Sequence, residues 1–247
     1  MYEGESMALR HLAIIMDGNR RWARQNALKI LAGHYHGAQN LKTIARSVAE
    51  HGIQHFTVFA FSRENWKRSQ AEISSLLGLM RKFLKNDVQQ LVDDDIRLLI
   101  IGDRTAFDQD LQDAFTRAEQ QTASCARMTL TVGINYGGRQ DILKAAQRAI
   151  QKFGQKNQLQ QHEFEMGLNT SSLPDVDLLI RTGGEKRLSN FVLWEISYAE
   201  LYFTDVLWPD FTLQDLSMAI KDYYGRNRRY GGDNVAEDDA VETTISA

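Results

Sequence analysis

The sequence contains few prolines and cysteines, the residues that interrupt secondary structure or cross-link a fold covalently. Only two prolines and one cysteine occur among its 247 residues. A single cysteine, Cys125, excludes an intramolecular disulfide and fits a reducing cytoplasm. Cys125 falls in a predicted loop, where we expect it to be incidental rather than a nucleophile. Because no Pro-, Gly- or Ser-rich linker divides the chain, we expect one domain rather than two.

Long hydrophobic runs are missing as well. No apolar stretch approaches the roughly 18 residues of a membrane-spanning helix. The amino terminus also has no signal-peptide pattern. We therefore expect no transmembrane segment and a cytoplasmic location.

A large charge excess is found only at the carboxyl end. The whole chain has a net charge of −3, and residues 233–247 contain five acidic residues and no lysine or arginine. This composition predicts a disordered, solvating tail. The remaining chain is close to neutral, which argues against nucleic-acid binding, since that usually needs a broad basic face. Its arginines are gathered in a few short motifs, as small anionic substrates would require.

Short apolar segments alternate with amphipathic helical patterns along the chain. The segments that predict strands are 12–16, 56–61, 98–101, 128–134, 176–180 and a less apolar one at 201–203. Most are apolar throughout, as in strands covered on both faces. Thr105 and Thr212, each followed by Asp three residues later, predict helix N-caps. The pattern predicts an α/β fold, a single domain with a mostly parallel central sheet covered by helices.

The first strand candidate runs directly into Asp17-Gly-Asn-Arg-Arg-Trp22. The acid, glycine and asparagine predict a tight turn with outward-facing backbone N–H groups, and the two arginines add positive charge. Such a turn at the start of a helix suits a phosphate or diphosphate, and the acid could hold a divalent metal on it. No Walker pattern is present. An ordinary strand-to-helix turn with an Asn-type cap is the alternative.

A second segment of this character, residues 181–190, follows the fifth strand candidate. Arg181 is unusual directly after a buried strand, because arginine is rarely placed there without a partner. The Thr-Gly-Gly string 182–184 is expected to let backbone amides approach an oxyanion, with Arg187 and Ser189 adding donors. A structural turn with an internal ion pair is the alternative. Ligands bind beyond the carboxyl ends of parallel strands, so the two segments together predict a protein acting on two phosphorylated substrates.

These segments resemble the cis-prenyltransferases, most closely the bacterial undecaprenyl diphosphate synthases, from about His11 to Gly232. The strings that carry the resemblance are His11-Leu-Ala-Ile-Ile-Met-Asp-Gly-Asn, Gly33-His34-x-x-Gly37, Phe59-Ala-Phe-Ser-x-Glu-Asn-Trp66, Ile101-Gly-Asp103, Asn135-Tyr-Gly-Gly-Arg139, Arg181-Thr-Gly-Gly-Glu185 through Trp194, Tyr198-Ala-Glu-Leu-Tyr-Phe203 and Trp208-Pro-Asp-Phe211. The match is specific, because several strings are long, unusual and in the expected order. It implies an N-terminal extension (1–10), a catalytic domain (11–232) with an apolar tunnel, and the acidic tail (233–247).

The resemblance also implies the reaction and the residues that perform it. The family joins isopentenyl diphosphate to an allylic diphosphate and uses Mg²⁺. Asp17 and Glu200 match its metal ligands, and Asp17 its essential aspartate. Asn65 stands where the family's proton acceptor is assigned, but an amide is a poor base, so we expect it to orient the substrate or a water. The implied substrate-binding set is Gly18, Asn19, Arg20, Arg21, Trp22, His34, Ser62, Arg63, Glu64, Trp66, Arg68, Arg181, Arg187, Leu188 and Ser189.

Four positions depart from the family's pattern. Arg20 replaces a glycine, which would crowd the turn unless its φ is negative. Ile30 replaces a diphosphate-binding arginine, and we expect Lys29 to compensate with less bidentate geometry. Ser69 replaces a proline and is expected to loosen the following helix start. Lys186 replaces a histidine near the metal and is not expected to be a ligand.

Three other features have ordinary interpretations. The acidic triple 93–95 lacks the spacing of the trans-prenyltransferase metal motif, since position 97 is arginine, and predicts a solvated turn. His34 and His36 have no third ligand nearby, so phosphate contact by His34 alone is favoured. The apolar positions of 73–84 at helical spacing predict a core face, and in the family the equivalent helix also lines the tunnel. The sequence alone does not separate these two uses.

The sequence thus predicts a Mg²⁺-dependent cis-prenyltransferase that extends farnesyl diphosphate with isopentenyl diphosphate towards a lipid carrier for cell-wall glycans. Residues 227–232 resemble the family's Arg-x-Gly ending, which reaches the partner subunit's active site and implies a homodimer; a surface cationic patch is the alternative. Peripheral membrane contact is expected at product release. Two alternatives remain. One is a relative with short-chain or unusual terpenoid substrates, which Arg20 and Ile30 motivate. The other is a non-catalytic subunit, which is disfavoured by the retained residues Asp17, Asn65, Arg181, Arg187 and Glu200.

Overall fold

Six parallel strands form one sheet in the order β3-β4-β2-β1-β5-β6. The computed structural model describes residues 8–154 and 158–226. The strands are β1 (His11–Ile15), β2 (His55–Ser62), β3 (Ile96–Ile101), β4 (Met128–Tyr136), β5 (Leu178–Arg181) and β6 (Glu200–Phe203). All six predicted strands are confirmed. The segments that follow β1, β2 and β5 leave the sheet at neighbouring positions on its carboxyl edge, where ligands bind in such sheets.

Helices cover the sheet. They are α1 (Asn19–Gln25), α2 (Ile30–Glu50), α3 (Gln70–Asn86), α4 (Val88–Asp93), α5 (Gln109–Gln121), α6 (Gly138–Phe153), α7 (Gln161–Glu165) and α8 (Leu213–Tyr224), with single 3₁₀ turns at 63–67, 104–106 and 208–210. Within the described ranges, no helix has the length and apolar character needed to cross a membrane.

The sheet has a hydrophobic layer on each face. Leu12 and Ile14 of β1 belong to the larger core cluster, whereas Ala13 and Ile15 belong to the smaller one. Successive side chains of a strand point to opposite faces, so both faces of β1 are buried. This explains why the predicted strands are apolar throughout rather than alternating.

Helix caps agree with the sequence at one site and differ at two. Thr212 caps α8 and forms a capping box with Asp215, as predicted. Thr105 does not cap α5, because a 3₁₀ turn intervenes and Asp108 accepts the N–H of Leu111 instead. The expectation that Ser69 loosens α3 is also wrong. Its Oγ accepts the N–H of Glu72 at 3.3 Å and caps that helix.

The acidic triple and the cysteine have structural environments. Asp95 lies in the predicted turn at φ 56° and accepts the N–H groups of Ala126 and Arg127 at 2.9 and 3.1 Å. Asp94 pairs with Arg46 at 3.0 Å. Cys125 is buried, and this burial raises the pKa of its thiol. Since the thiolate is the nucleophile, a raised pKa agrees with an incidental cysteine.

Candidate active site

Both predicted phosphate motifs open into one cleft at the carboxyl edge of the sheet. This central cleft has a volume of about 570 Å³, and its polar lining includes Asp17, Asn19, His34, Ser62, Glu64, Asn65, Arg68, Arg181, Arg187, Ser189 and Asn190. Two further cavities share some of these residues. We call them the arginine cavity, beside the start of α1, and the apolar cavity, between the sheet and α3.

Arg181 joins the two motifs physically. It is the last residue of β5 and is 3% exposed. Its Nη2 donates to Asp17 Oδ2 at 3.0 Å, and its Nη1 donates to Ser189 Oγ at 2.6 Å and to the Arg187 carbonyl at 2.5 Å. This ion pair links the two motifs, and Arg187 also pairs with Glu185 inside the second motif, which is the internal ion pair of the alternative interpretation. Arg181 Nε is buried without a hydrogen-bond partner among the described residues.

The backbone amides of 182–184 are not anion donors, contrary to expectation. Those of Gly183 and Gly184 donate to the carbonyls of Val206 and Thr204, both at 2.8 Å. That of Thr182 donates to the Ile15 carbonyl at 3.3 Å. The glycine at 183 is nevertheless required. Its φ is +83°, and a Cβ there would lie 2.5 Å from an Arg21 Nη2 atom.

The arginine cavity has a volume of about 290 Å³ and is strongly cationic. Its lining comprises Met16, Asp17, Gly18, Asn19, Arg20, Arg21, Arg24, His34 and Arg68. No side chain of the described residues caps α1, and the first N–H groups of a helix have no partner within it. Arg20 lies in α1 with a negative φ, so it does not strain the turn. Arg21 Nη2 lies 3.4 Å from Asp17 Oδ1.

Glu72, which sequence reasoning missed, lies beside this cavity. Its Oε1 accepts a hydrogen bond from Arg68 Nη1 at 2.9 Å, and His34 Nε2 and Arg20 Nε lie 3.5 and 3.7 Å from it. Burial, reinforced by the Arg68 charge, lowers the pKa of His34 and favours its neutral form. The available sequence signal was the i,i+4 spacing of Arg68 and Glu72.

Residues 62–68 form a structured loop at the cleft. Asn65 Oδ1 accepts the N–H of Ser62 at 3.1 Å within a capping box. Trp66 Nε1 donates to Asn135 Oδ1 at 2.9 Å, and its ring lies 5.1 Å from that of Phe61. Trp66 therefore anchors the loop to the core, while Asn65 and Arg68 line the cleft. Arg63 is exposed and is not among the lining residues.

The structure does not bring every predicted site residue into the cleft. Trp22 Nε1 donates to Asp210 at 2.6 Å, and its ring lies 4.7 Å from that of His36. Leu188 packs against the smaller core cluster. Lys29, the N-cap of α2, and Ile30 do not line the arginine cavity, so the expected compensation by Lys29 has no support in the structure.

Glu200 is not brought together with Asp17. In the sheet register Glu200 aligns with Leu178, which aligns with Leu12. β1 continues for three residues beyond Leu12 to Ile15, roughly 10 Å along the strand direction at about 3.3 Å per residue, before the turn that contains Asp17. Glu200 Oε2 instead accepts a hydrogen bond from Arg226 Nη1 at 2.7 Å. Within one chain, therefore, Glu200 and Asp17 do not share a metal.

The residues present fit a Mg²⁺ site in which the substrate and water supply most of the ligands. Within the described part of the chain, no three His, Cys, Asp or Glu side chains cluster as a metal site. Mg²⁺ in phosphate-transfer sites is typically held by one or two carboxylates plus substrate phosphates and waters. Asp17, whose side chain is 31% exposed at the junction of the two motifs, offers such a carboxylate.

The apolar cavity, of about 150 Å³, adjoins the central cleft at Met16, Asn19 and His34. Its walls include Leu76, Met80, Phe83 and Leu84 of α3 together with Leu41, Leu98, Ile100, Phe115, Val132 and Trp208. Ile73 of the same helix is buried in the core. Leu76, Met80, Phe83 and Leu84 also pack against the larger core cluster, so the predicted core face of α3 is confirmed and it borders the apolar cavity as well.

Comparison with known proteins decides the family. The prenyltransferase family model described as "Putative undecaprenyl diphosphate synthase" matches residues 15–231. The chain is a member of this prenyltransferase family. An isoprenyl transferase of Treponema denticola is 45% identical to this prenyltransferase, covering 90% of the chain and 97% of the relative. The (2E,6E)-farnesyl-diphosphate-specific ditrans,polycis-undecaprenyl-diphosphate synthase of Buchnera aphidicola is 43% identical, covering 92% of the chain and 93% of the relative.

Solved structures agree with this placement. Lavandulyl diphosphate synthase from Lavandula x intermedia, in complex with dimethylallyl diphosphate, superposes with a TM-score of 0.87 at 36% identity, covering 92% of the prenyltransferase and all of that chain. A probable undecaprenyl diphosphate synthase of Campylobacter jejuni gives 0.78 at 33% identity, covering 91% and 99%. The prenyltransferase is thus an enzyme of the isoprenyl transferase class.

Proposed function

We propose that this prenyltransferase condenses isopentenyl diphosphate repeatedly with an allylic diphosphate, starting from farnesyl diphosphate, to give a cis-polyprenyl diphosphate such as undecaprenyl diphosphate. The observation that carries the proposal is the 3.0 Å contact between Asp17 and Arg181. It joins two cationic subsites in one cleft beside an apolar cavity. The farnesyl specificity in the name of the Buchnera relative supports the choice of primer.

The allylic diphosphate fits the arginine cavity. Ionisation of the allylic C–O bond places negative charge on the departing diphosphate, and preorganised cations there stabilise that charge. Arg20, Arg21 and Arg24 supply such cations. The hydrocarbon part then extends into the adjoining apolar cavity, where each buried CH₂ contributes about 0.8 kcal/mol.

Isopentenyl diphosphate fits the other end of the cleft, with Arg181, Arg187 and Ser189 as donors to its phosphates. Its double bond attacks the allylic carbon as the C–O bond to the departing diphosphate breaks, a C–C bond forms, and a proton is then lost to that diphosphate or to water. The Asn65 oxygen already accepts the Ser62 N–H, which fixes the amide at the cleft. We assign Asn65 the task of orienting the substrate or a water, not of taking the proton.

The proposed cofactor is Mg²⁺. Asp17 would hold it, with the remaining ligands supplied by diphosphate oxygens and water. When bound, the ion would neutralise charge on the departing diphosphate. Because Glu200 lies away from Asp17, it is not assigned to this ion within one chain.

The enzyme is proposed to be a homodimer. Leu143 and Ile150 lie seven residues apart on one face of α6 and are 63% and 62% exposed. Met166 and Tyr198 are also exposed. Ile150→Glu should therefore convert a dimer into a monomer in sedimentation equilibrium, whereas Met218→Glu on α8 should not. A wild-type monomer would contradict the proposal.

The motif at 227–232 lies outside the described residues, as does most of the 1–10 extension and all of the tail.

The cellular assignment follows from this reaction. A cis-polyprenyl diphosphate made in the cytoplasm would serve as the lipid carrier precursor for cell-wall glycans. Product release would involve peripheral contact with the membrane. A second candidate function, coupling of short primers, is favoured by the 0.87 TM-score to the lavandulyl enzyme.

Product analysis tests these proposals together. The purified chain is incubated with radiolabelled isopentenyl diphosphate, Mg²⁺ and dimethylallyl, geranyl or farnesyl diphosphate, and products are sized by chromatography. Long products from farnesyl diphosphate are expected. Short products from dimethylallyl diphosphate would support the second candidate, and no product with any primer would support a non-catalytic subunit.

Asp17→Ala tests the proposed metal ligand. We expect turnover to fall about a hundredfold to a thousandfold, the range found for the loss of a main charge-stabilising group, with the fold retained. Asp94→Ala is the matched control, since Asp94 pairs with Arg46 on the surface. Full activity of Asp17→Ala would contradict the assigned role.

A further inference from the structure

One carboxylate contacts three basic side chains of the proposed allylic subsite. Arg68 Nη1, His34 Nε2 and Arg20 Nε lie 2.9, 3.5 and 3.7 Å from Glu72 Oε1. The Glu72 side chain is only 8% exposed, whereas that of Arg20 is 44% exposed. Glu72 is thus more buried than the two arginines that it contacts, since the Arg68 side chain is 26% exposed.

The position of Glu72 is itself fixed. Glu72 lies in the first turn of α3, and Ser69 Oγ accepts its N–H at 3.3 Å. An acid in the first turn is favoured by the helix dipole. Arg20 comes from α1 and His34 from α2. Three helices therefore meet at this carboxylate.

The contact also places the Arg20 guanidinium beside Glu72. The shortest distance between the two side chains is from Arg20 Nε, and Arg20 also lines the arginine cavity. Arg20 and Arg24 are four residues apart on α1, hence on one face of the helix. Four arginines line the cavity against one aspartate, and the Glu72 carboxylate reduces their mutual repulsion before an anion binds.

We infer that Glu72 is a positioning residue which makes Arg20 a ligand of the allylic diphosphate. The inference rests on the proposed function and names the residues that set affinity at its allylic subsite.

Ile30 provides the complementary observation. It lies one turn before His34 on α2, on the same face, and supplies no cation there. Arg20 therefore provides, from α1, a charge that this face of α2 lacks.

The experiment measures binding separately from turnover. Arg20→Ala and Glu72→Gln are titrated calorimetrically with farnesyl thiodiphosphate, an unreactive analogue, and KM values are measured for both substrates. Loss of a charged hydrogen bond to phosphate should weaken analogue binding about tenfold to a hundredfold. We expect the KM of the allylic substrate to rise in parallel and that of isopentenyl diphosphate to stay within about threefold, a split that general loss of structure would not produce.

Two further variants sharpen the test. Arg46→Ala, which removes an exposed arginine from α2, is the control and should bind the analogue as wild type does. Ile30→Arg in the Arg20→Ala background should restore most of the lost affinity, because position 30 shares a helix face with His34. The double variant Arg20→Ala/Glu72→Gln should lose less than the two single effects combined.

The outcomes separate this inference from the proposed function. Wild-type analogue affinity in Arg20→Ala, or equal rises in both KM values, would overturn the inference while leaving the reaction intact. A wild-type chain that binds the analogue but forms no product would contradict the proposed function alone. If circular dichroism shows that Glu72→Gln does not fold, Arg20→Ala still tests whether Arg20 binds the analogue. Glu72→Asp then tests whether Glu72 positions Arg20. We expect this variant to bind the analogue more weakly, and wild-type affinity would contradict the positioning role.

Discussion

At the scale of single residues, the site depends on a buried arginine with three partners. Arg181 bonds a carboxylate, a hydroxyl and a carbonyl through two of its nitrogens. A planar guanidinium can satisfy such divergent acceptors at once, whereas an ammonium on a flexible stem cannot. Its Nε still lacks a protein partner among the described residues. Arg181 is therefore a structural link, in addition to its proposed role in binding isopentenyl diphosphate.

Arg181→Lys should damage both roles. We expect the KM for isopentenyl diphosphate to rise about tenfold or more, and the free energy of unfolding to fall by about 1–3 kcal/mol, since charged hydrogen bonds are lost at a buried position. Steady-state kinetics and urea unfolding check this. Arg187→Lys is the matched control for stability, because Arg187 is 59% exposed and should change unfolding little. Equal stability losses in the two variants would contradict the assignment.

At the scale of elements, the start of α3 links fold and site. Ser69 caps the helix, Glu72 in its first turn holds the basic cluster, and residues further along line the apolar cavity. The sequence indicated an apolar face on α3 but suggested a weak start. A proline would fix φ at this position, yet serine satisfies a backbone N–H that proline cannot.

Ser69→Ala should remove this cap. The expected cost is about 1 kcal/mol in the free energy of unfolding, measured by urea denaturation. Ser75→Ala is the control, since Ser75 lies within α3 and its Oγ only donates to the Ala71 carbonyl at 2.8 Å. Alanine is at least as good a helix former there. A loss in Ser75→Ala as large as in Ser69→Ala would show that capping is not the cause.

At the scale of the whole molecule, a buried histidine makes stability depend on pH. His11 begins β1 and is 1% exposed, with Nδ1 2.8 Å from the Pro174 carbonyl and Nε2 2.7 Å from Thr57 Oγ1. Burial lowers the pKa of His11 from 6.5 to about 4. Between these values the unfolded chain binds a proton that the folded chain does not. Folding stability is therefore lost as the pH falls from 6.5 towards 4.

At pH 5 this histidine should account for a loss of about 2 kcal/mol relative to pH 7.5. Urea unfolding of the wild type and of His11→Gln at both pH values checks it. His11→Gln lacks this imidazole, so the free energy of unfolding that it loses between pH 7.5 and pH 5 should be smaller by about 2 kcal/mol. Burial raises the pKa of Asp141 and Glu195, so these two groups make the folded state more stable as the pH falls. This effect is the same in the wild type and in His11→Gln. Equal pH dependence in the two proteins would refute the prediction.

Local patterns in the sequence were sufficient for the six strands and for the position of the cleft. The strands are apolar on both faces because both faces of the sheet are covered, and the motifs at the ends of β1 and β5 meet because parallel strands end at one edge. The cap at Thr212 was predictable for the same reason, since its partner lies three residues away.

Only the tertiary structure decided which partner each group takes. Asp17 and Arg181 are 164 residues apart in sequence, and the sheet register alone moves Glu200 away from them. The amides of Gly183 and Gly184 are taken by carbonyls of a segment that no local pattern pairs with them. Glu72 gains its role only when α1, α2 and α3 converge. The spacing of apolar residues along one helix or strand is a local property of the sequence, whereas the hydrogen-bond partners of a side chain depend on packing between distant segments.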